Sequence, residues 1–125
     1  MKQILNSSKA PGAIGPYSQA VKVGNFIYVS GQLPIDAKTG EMPREIKEQT
    51  RQSLENIKSI LAEADATMDN VVKSTVYLSD MSLFGPMNEV YGEFFSEGNY
   101  PARAAFAVKE LPKQALVEIE VVAYI

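Results

Sequence analysis

The chain has 125 residues, 46% of them hydrophobic, which suits one domain with enough apolar surface to fill a core. Fifteen acidic residues against twelve basic ones leave a net charge of −3 and no basic stripe, which argues against nucleic acid as the main partner. Cysteine and histidine are both absent, which removes disulfides, thiolate nucleophiles, zinc–thiolate sites, Ser–His relays and the usual general base.

No Asp-x-Asp-x-Asp-Gly loop is present either, so neither a metal nor a cofactor is expected. Chemistry must then run on Arg, Glu, Asp, Lys, Tyr, Ser, Asn and backbone groups. The first six residues carry no signal-like apolar run, and no segment approaches the ~20 apolar residues of a membrane span. A single domain over residues 1–125, located in the cytoplasm, is the expectation.

In chain order, residues 1–5 read as a short strand. Ala10-Pro11-Gly12-Ala13-Ile14-Gly15-Pro16 reads as a loop, because its prolines and glycines favour no regular element. Tyr17 to Val23 and Phe26 to Ser30 are rich in Val, Ile, Tyr and Phe, and Gly24-Asn25 between them is a hairpin turn signal. Gly31 through Gly40 is expected to be a loop. The clearest helix follows, with Ile46, Thr50, Leu54, Ile57, Leu61 and Ala64 on one stripe. Residues 65–70 lead into a β-branched strand, Val71 to Leu78.

A second helix is expected from about Ser82 to Glu97, carrying Phe84, Met87, Tyr91 and Phe94 at helical spacing. Gly85-Pro86 places its regular start near Pro86, since proline is tolerated in a first turn. Ala102 to Val108 and Val117 to Ile125 are the last strands. The order is an α+β layer with two helices on one face of a mixed sheet. Self-association is the simplest cover for the other face.

Strand alternation sorts the last two strands. Arg103, Ala105 and Ala107 point one way, which leaves a guanidinium on a face otherwise made of methyl groups. Glu118, Glu120, Val122 and Tyr124 share one face of the final strand. Spacing alone leaves two readings open. Arg103, Glu118 and Glu120 form a cross-strand ion pair on a solvated face, or Arg103 forks a ligand carboxylate while a glutamate handles water.

Tyr100-Pro101-Ala102-Arg103-Ala104-Ala105-Phe106, followed by Val117-Glu118-Ile119-Glu120, resembles the signature of the Rid family of reactive-imine deaminases. That family is also known as YjgF-like proteins or L-PSP endoribonucleases. The resemblance extends to Ala13-Ile14-Gly15-Pro16-Tyr17-Ser18-Gln19-Ala20, Val29-Ser30-Gly31-Gln32, Arg51-Gln52-Ser53-Leu54-Glu55-Asn56-Ile57 and Met87-Asn88-Glu89-Val90-Tyr91. It implies a chorismate-mutase-like (YjgF-like) fold and a homotrimer whose sheets form an inner barrel, with pockets between subunits. It implies that Arg103 binds a substrate carboxylate. Tyr17, Ser30, Gly31, Asn88 and Glu118 stand where the family has site residues.

The family often has cysteine two residues after the arginine, where this chain has Ala105; only the backbone amide there is left to serve a ligand. Glu120 reads as structural or solvated. The reaction implied is hydrolysis of 2-iminopropanoate and 2-iminobutanoate to 2-oxo acids and ammonia. Glu118 would orient water, with a depressed pKa if it were held beside Arg103. Two alternatives remain: single-strand RNA cleavage, and a non-catalytic module that binds a small carboxylate.

Overall fold

The computed structural model describes residues 1–125. Six strands and two helices follow in the order β1 (Gln3–Leu5), β2 (Ala20–Val23), β3 (Phe26–Gln32), α1 (Ile46–Ala62), β4 (Val71–Leu78), α2 (Phe84–Gly92), β5 (Ala102–Ala107) and β6 (Val117–Tyr124). Neither helix is long and apolar enough to cross a membrane. The β2–β3 hairpin pairs Val23 with Phe26 across two residues, and Gly24 takes the positive φ of 57° that the turn's first position needs.

The sheet order is β1-β2-β3-β6-β4-β5. Both β3 and β4 run antiparallel to β6, so they are parallel to each other with β6 inserted between them. The connection through α1 therefore steps over one strand, and the connection through α2 joins the adjacent parallel pair β4–β5. Both helices cover the same sheet face, as the sequence predicts. Ile27, Val29, Val76, Leu78, Val117, Ile119, Val121 and Ala123 of the sheet pack there against Leu54, Ile57, Ile60, Leu61, Met87 and Tyr91. Each fully buried aliphatic side chain contributes about 1.5–3 kcal/mol of transfer free energy.

The inward stripe of α1 also includes polar residues. Ser53 Oγ donates to the Gln32 carbonyl at 3.0 Å, and Asn56 Nδ2 donates to the carbonyls of Leu33 (3.2 Å) and Ile35 (3.0 Å). Gln49 donates to the Pro43 carbonyl and accepts from the Leu116 amide, both at 2.8 Å. These bonds satisfy backbone groups that leave the sheet, so α1 fixes the end of β3 and the start of β6.

The main differences from expectation fall in β2, β3 and α2, and α2 already starts at Phe84, which leaves Pro86 third in its first turn. β2 begins at Ala20 rather than Tyr17, because Gln19 turns its carboxamide to the N-terminal loop. It accepts from the Ser7 amide at 2.7 Å and donates to the carbonyls of Ser7 at 3.1 Å and Pro11 at 2.8 Å. β3 runs on through Gly31 and Gln32, with a register irregularity between Val29 and Gln32 where the sequence suggests a loop. α2 stops at Gly92; Phe94 and Phe95 continue the apolar pattern in a turn, with the Phe95 ring 4.8 Å from that of Tyr91.

Candidate active site

Arg103 lies on the helix-covered side of the edge strand β5. The parallel register sets it beside Ser74, with Ala105 beside Val76 and Ala107 beside Leu78. Ser74, Val76 and Leu78 are buried under the helices. The methyl-lined strip foreseen along β5 is filled near Arg103 by α2. The guanidinium carbon is 4.6 Å from the Tyr91 ring centroid and 5.4 Å from that of Phe84, and Nη1 donates to Asn88 Oδ1 at 2.6 Å. Both rings offer the charge a π-face. Residues 84, 88 and 91 stand four and three apart and so share one helix face.

The chain's ion pairs join Lys47 to Glu89 and Arg51 to Glu48 and Glu93; none involves Arg103. Its remaining donors face a depression of about 410 Å³ lined by Asn88, Tyr91, Gly92, Tyr100, Pro101 and Arg103. A cation without a carboxylate partner, lining open space, has the chemistry to accept a planar anion.

Glu118 lies on the opposite sheet face. Its β6 neighbours Val117 and Ile119 are buried in the core, and alternation turns Glu118 and Glu120 away from them. The Glu118 side chain folds over Gly31: a Cβ at that position would lie 2.6 Å from Glu118 Oε2 and 3.0 Å from Cδ. Gly31 is thus required for this carboxylate position. Burial, and to a smaller extent the charge of Glu120, push the Glu118 carboxyl above the usual glutamate range. Within one chain the condition for a depressed value is not met, because Arg103 is across the sheet.

Glu120 accepts a hydrogen bond from the Tyr77 hydroxyl, and that bond is the main reason the phenol is pushed up to about 12. The Tyr77 ring meets Phe106 edge-on at 5.5 Å. Ser30 Oγ donates to the Ser18 carbonyl at 2.6 Å, fastening the segment that carries the exposed Tyr17. Tyr17, Tyr28, Ser30 and Glu120 line a depression of about 670 Å³ on this face. No group of three or more acidic side chains comes together to hold a metal ion.

The sequence model of the family described as "Endoribonuclease L-PSP" matches residues 7–125. A RutC family protein of Pyrococcus abyssi is 56% identical over 124 residues, covering 98% of this chain and 97% of that protein. The chain belongs to the Rid (YjgF-like) family. TdcF of Escherichia coli, provisionally named a reactive intermediate deaminase, is 43% identical over 125 residues, covering 98% of this chain and 97% of TdcF. The crystal structure of that TdcF with bound serine matches at a TM-score of 0.95 and 42% identity over 98% of each chain. RidA of an Antarctic Psychrobacter matches at a TM-score of 0.95 and 50% identity, over 98% of this chain and 99% of that one.

The residues of the Rid signature therefore fall into two groups in one chain. Arg103, Asn88 and Ala105 stand on the helix side; Tyr17, Ser30, Gly31 and Glu118 belong to the opposite side. The ion pair considered between Arg103 and either glutamate does not form, because β4 and the thickness of the sheet lie between them. The sequence places Phe84 and Tyr91 on a helix stripe and assigns neither a part in the site. An aromatic–Asn–aromatic run at helical spacing beside a lone arginine was the available signal. Sequence reasoning missed Ser74 and Tyr77 altogether, since neither stands in a motif.

Proposed function

We propose that this Rid protein hydrolyses small 2-imino acids, such as 2-iminopropanoate and 2-iminobutanoate, to 2-oxo acids and ammonia. The observation that carries the reading is Arg103: a guanidinium propped by two aromatic rings and Asn88, bearing no carboxylate of its own and facing a depression. It would fork the substrate carboxylate and hold the C=N carbon in place. An imine protonated on nitrogen is already a strong electrophile, so a chain without His or Cys suffices.

Water then adds to the carbon. Glu118 accepts the proton the water loses and returns it to the nitrogen; as the C–N bond breaks and ammonia leaves, the freed carboxylate takes the hydroxyl proton, so that the carbinolamine collapses to a C=O group. A carboxyl raised above its ordinary range is better suited to this exchange than a depressed one. Tyr17 closes over the ligand, Ser30 and Gly31 offer oxygen acceptors to the N–H groups, and the Ala105 amide serves the carboxylate end.

One small substrate cannot touch Arg103 and Glu118 of the same chain. The two strands are roughly 10 Å apart across β4, and the side chains leave opposite faces. The site therefore takes one half from each of two copies. A homotrimer with the open faces turned inward supplies that pairing. It also covers the apolar side chains that the open face exposes, Phe26, Tyr28, Val72, Phe106 and Tyr124, each more than 40% exposed in one chain. TdcF, whose structure contains serine, binds a small molecule that carries a carboxylate.

Arg103→Ala should lose at least about 100-fold in activity while keeping its oligomeric state. The measurement is semicarbazone formation in a coupled dehydratase assay, with size-exclusion chromatography alongside. Undiminished turnover in that variant would sink the assignment.

A further inference from the structure

An arginine side chain is long and flexible, so the plane of its guanidinium is set by what it lies against. Here that support is Tyr91, only 5% exposed, with its ring centroid 4.6 Å from the Arg103 guanidinium carbon. The ring is itself fixed at both ends. Its Cβ belongs to α2, and its hydroxyl meets Ser74 Oγ on β4 at 2.6 Å in a buried hydrogen bond. Ser74 is the register partner of Arg103 across β4 and β5. The bond from Tyr91 to Ser74 thus ties α2 to the strand position next to the arginine. The Phe95 ring packs against it at 4.8 Å, tilted by 40°.

Core packing does not require this arrangement. A phenylalanine–alanine pair would fill nearly the same space without placing any polar group in the interior. We propose that Ser74 and Tyr91 are positioning residues: their hydrogen bond fixes the ring that sets the plane of Arg103 and so its affinity for a carboxylate. This rests on the reading of Arg103 as a carboxylate receptor. The role touches neither the imine carbon nor the water, so its loss falls on binding more than on the chemical step.

The test is the double variant Ser74→Ala/Tyr91→Phe, in which both polar partners leave together and no orphaned group remains to unfold the chain. The probe is 2-oxobutanoate, titrated calorimetrically into the assembled protein, with melting temperatures and steady-state kinetics measured on the same samples. Kd and KM should each rise about fivefold, of the order expected for a misplaced cation–π support, with kcat and the melting temperature close to wild type. Each single variant should show the same rise in Kd, because breaking either end frees the ring.

An unchanged Kd and KM in a stable double variant would reduce the pair to packing. Arg103→Ala separates the two levels. If it loses 2-oxobutanoate binding while the double variant binds like wild type, only the positioning role falls. If wild type does not bind 2-oxobutanoate, the carboxylate reading of Arg103 falls, and the positioning role with it.

Discussion

The two halves of the candidate site are built differently, although they stand on neighbouring parts of one sheet. The Arg103 half is made of side chains supporting one another: two rings, an amide and a hydroxyl pair place one cation. The Glu118 half is made of backbone. Its carboxylate lies where Gly31 has no side chain, at an irregular stretch of β3 whose end is fastened by Ser53 and Asn56 of α1. A cation needs orientation, because its charge is permanent and its donors are directional. A proton-exchanging acid needs an environment, because burial and a neighbouring charge decide when it ionises.

The sharpest way to break this division is to separate the halves genetically. Arg103→Ala and Glu118→Gln should each be nearly inactive, down about 100-fold or more. Co-refolded at equal amounts, the two should recover about a quarter of wild-type activity, because random mixing leaves that share of interfaces with both halves intact. No recovery, with mixed oligomers present on a native gel, would mean that the site does not draw on two copies.

Glu118→Gln also probes the environment. Folding raises this carboxyl, so the folded chain holds the proton more tightly than the unfolded one. The stability it contributes is present at acid pH and is lost as pH rises through the folded value. Glutamine cannot ionise and escapes that loss. The variant should melt above wild type at neutral pH, and the gap should close on acidification. Thermal scans across pH measure both.

Gly31→Ala tests the backbone half with less chemistry removed. A methyl group 2.6 Å from Glu118 Oε2 drives the carboxylate off its place, and the flexible acid can swing aside. Activity should fall roughly 10- to 100-fold, while the melting temperature moves by no more than about 3 °C. The smallest effect belongs to Glu120→Gln. Loss of its negative charge should move the acid limb of kcat/KM to lower pH, with little change in the plateau rate. An unmoved limb would remove Glu118 as the titrating group.

Much of this was legible in the sequence. The stripe of α1, the Gly24-Asn25 turn and the alternation of β6 follow from periodicities of 3.6 and 2, which one chain displays fully. Alternation sorted Arg103 from Ala104, and Glu118 from Ile119, but it could not say that Arg103 faces the helices while Glu118 faces away. That depends on the register of β5 against β4 and of β4 against β6, which is a long-range property. The irregular stretch at Ser30 and Gly31 was hidden for a similar reason. A glycine after a strand reads as a turn until the side chain lying across it is known. Gln49, Ser53 and Asn56 were passed over because polar residues on a helix suggest solvent, whereas here each bonds a backbone group that leaves the sheet.

Gln19 works as a buckle. β1 offers only three ladder positions and residues 1–18 send only Leu5 and Ala10 into the apolar core, so the segment is held by those two side chains, by this buried amide and by the bond from Ser30 to Ser18. A strap fastened at so few points opens as a unit, at lower cost than the core beneath it. Tyr17 rides on that strap. Warming should therefore uncouple Tyr17 from the rest of the site while both helices remain folded, so enzymatic output and bulk structure fade at different temperatures.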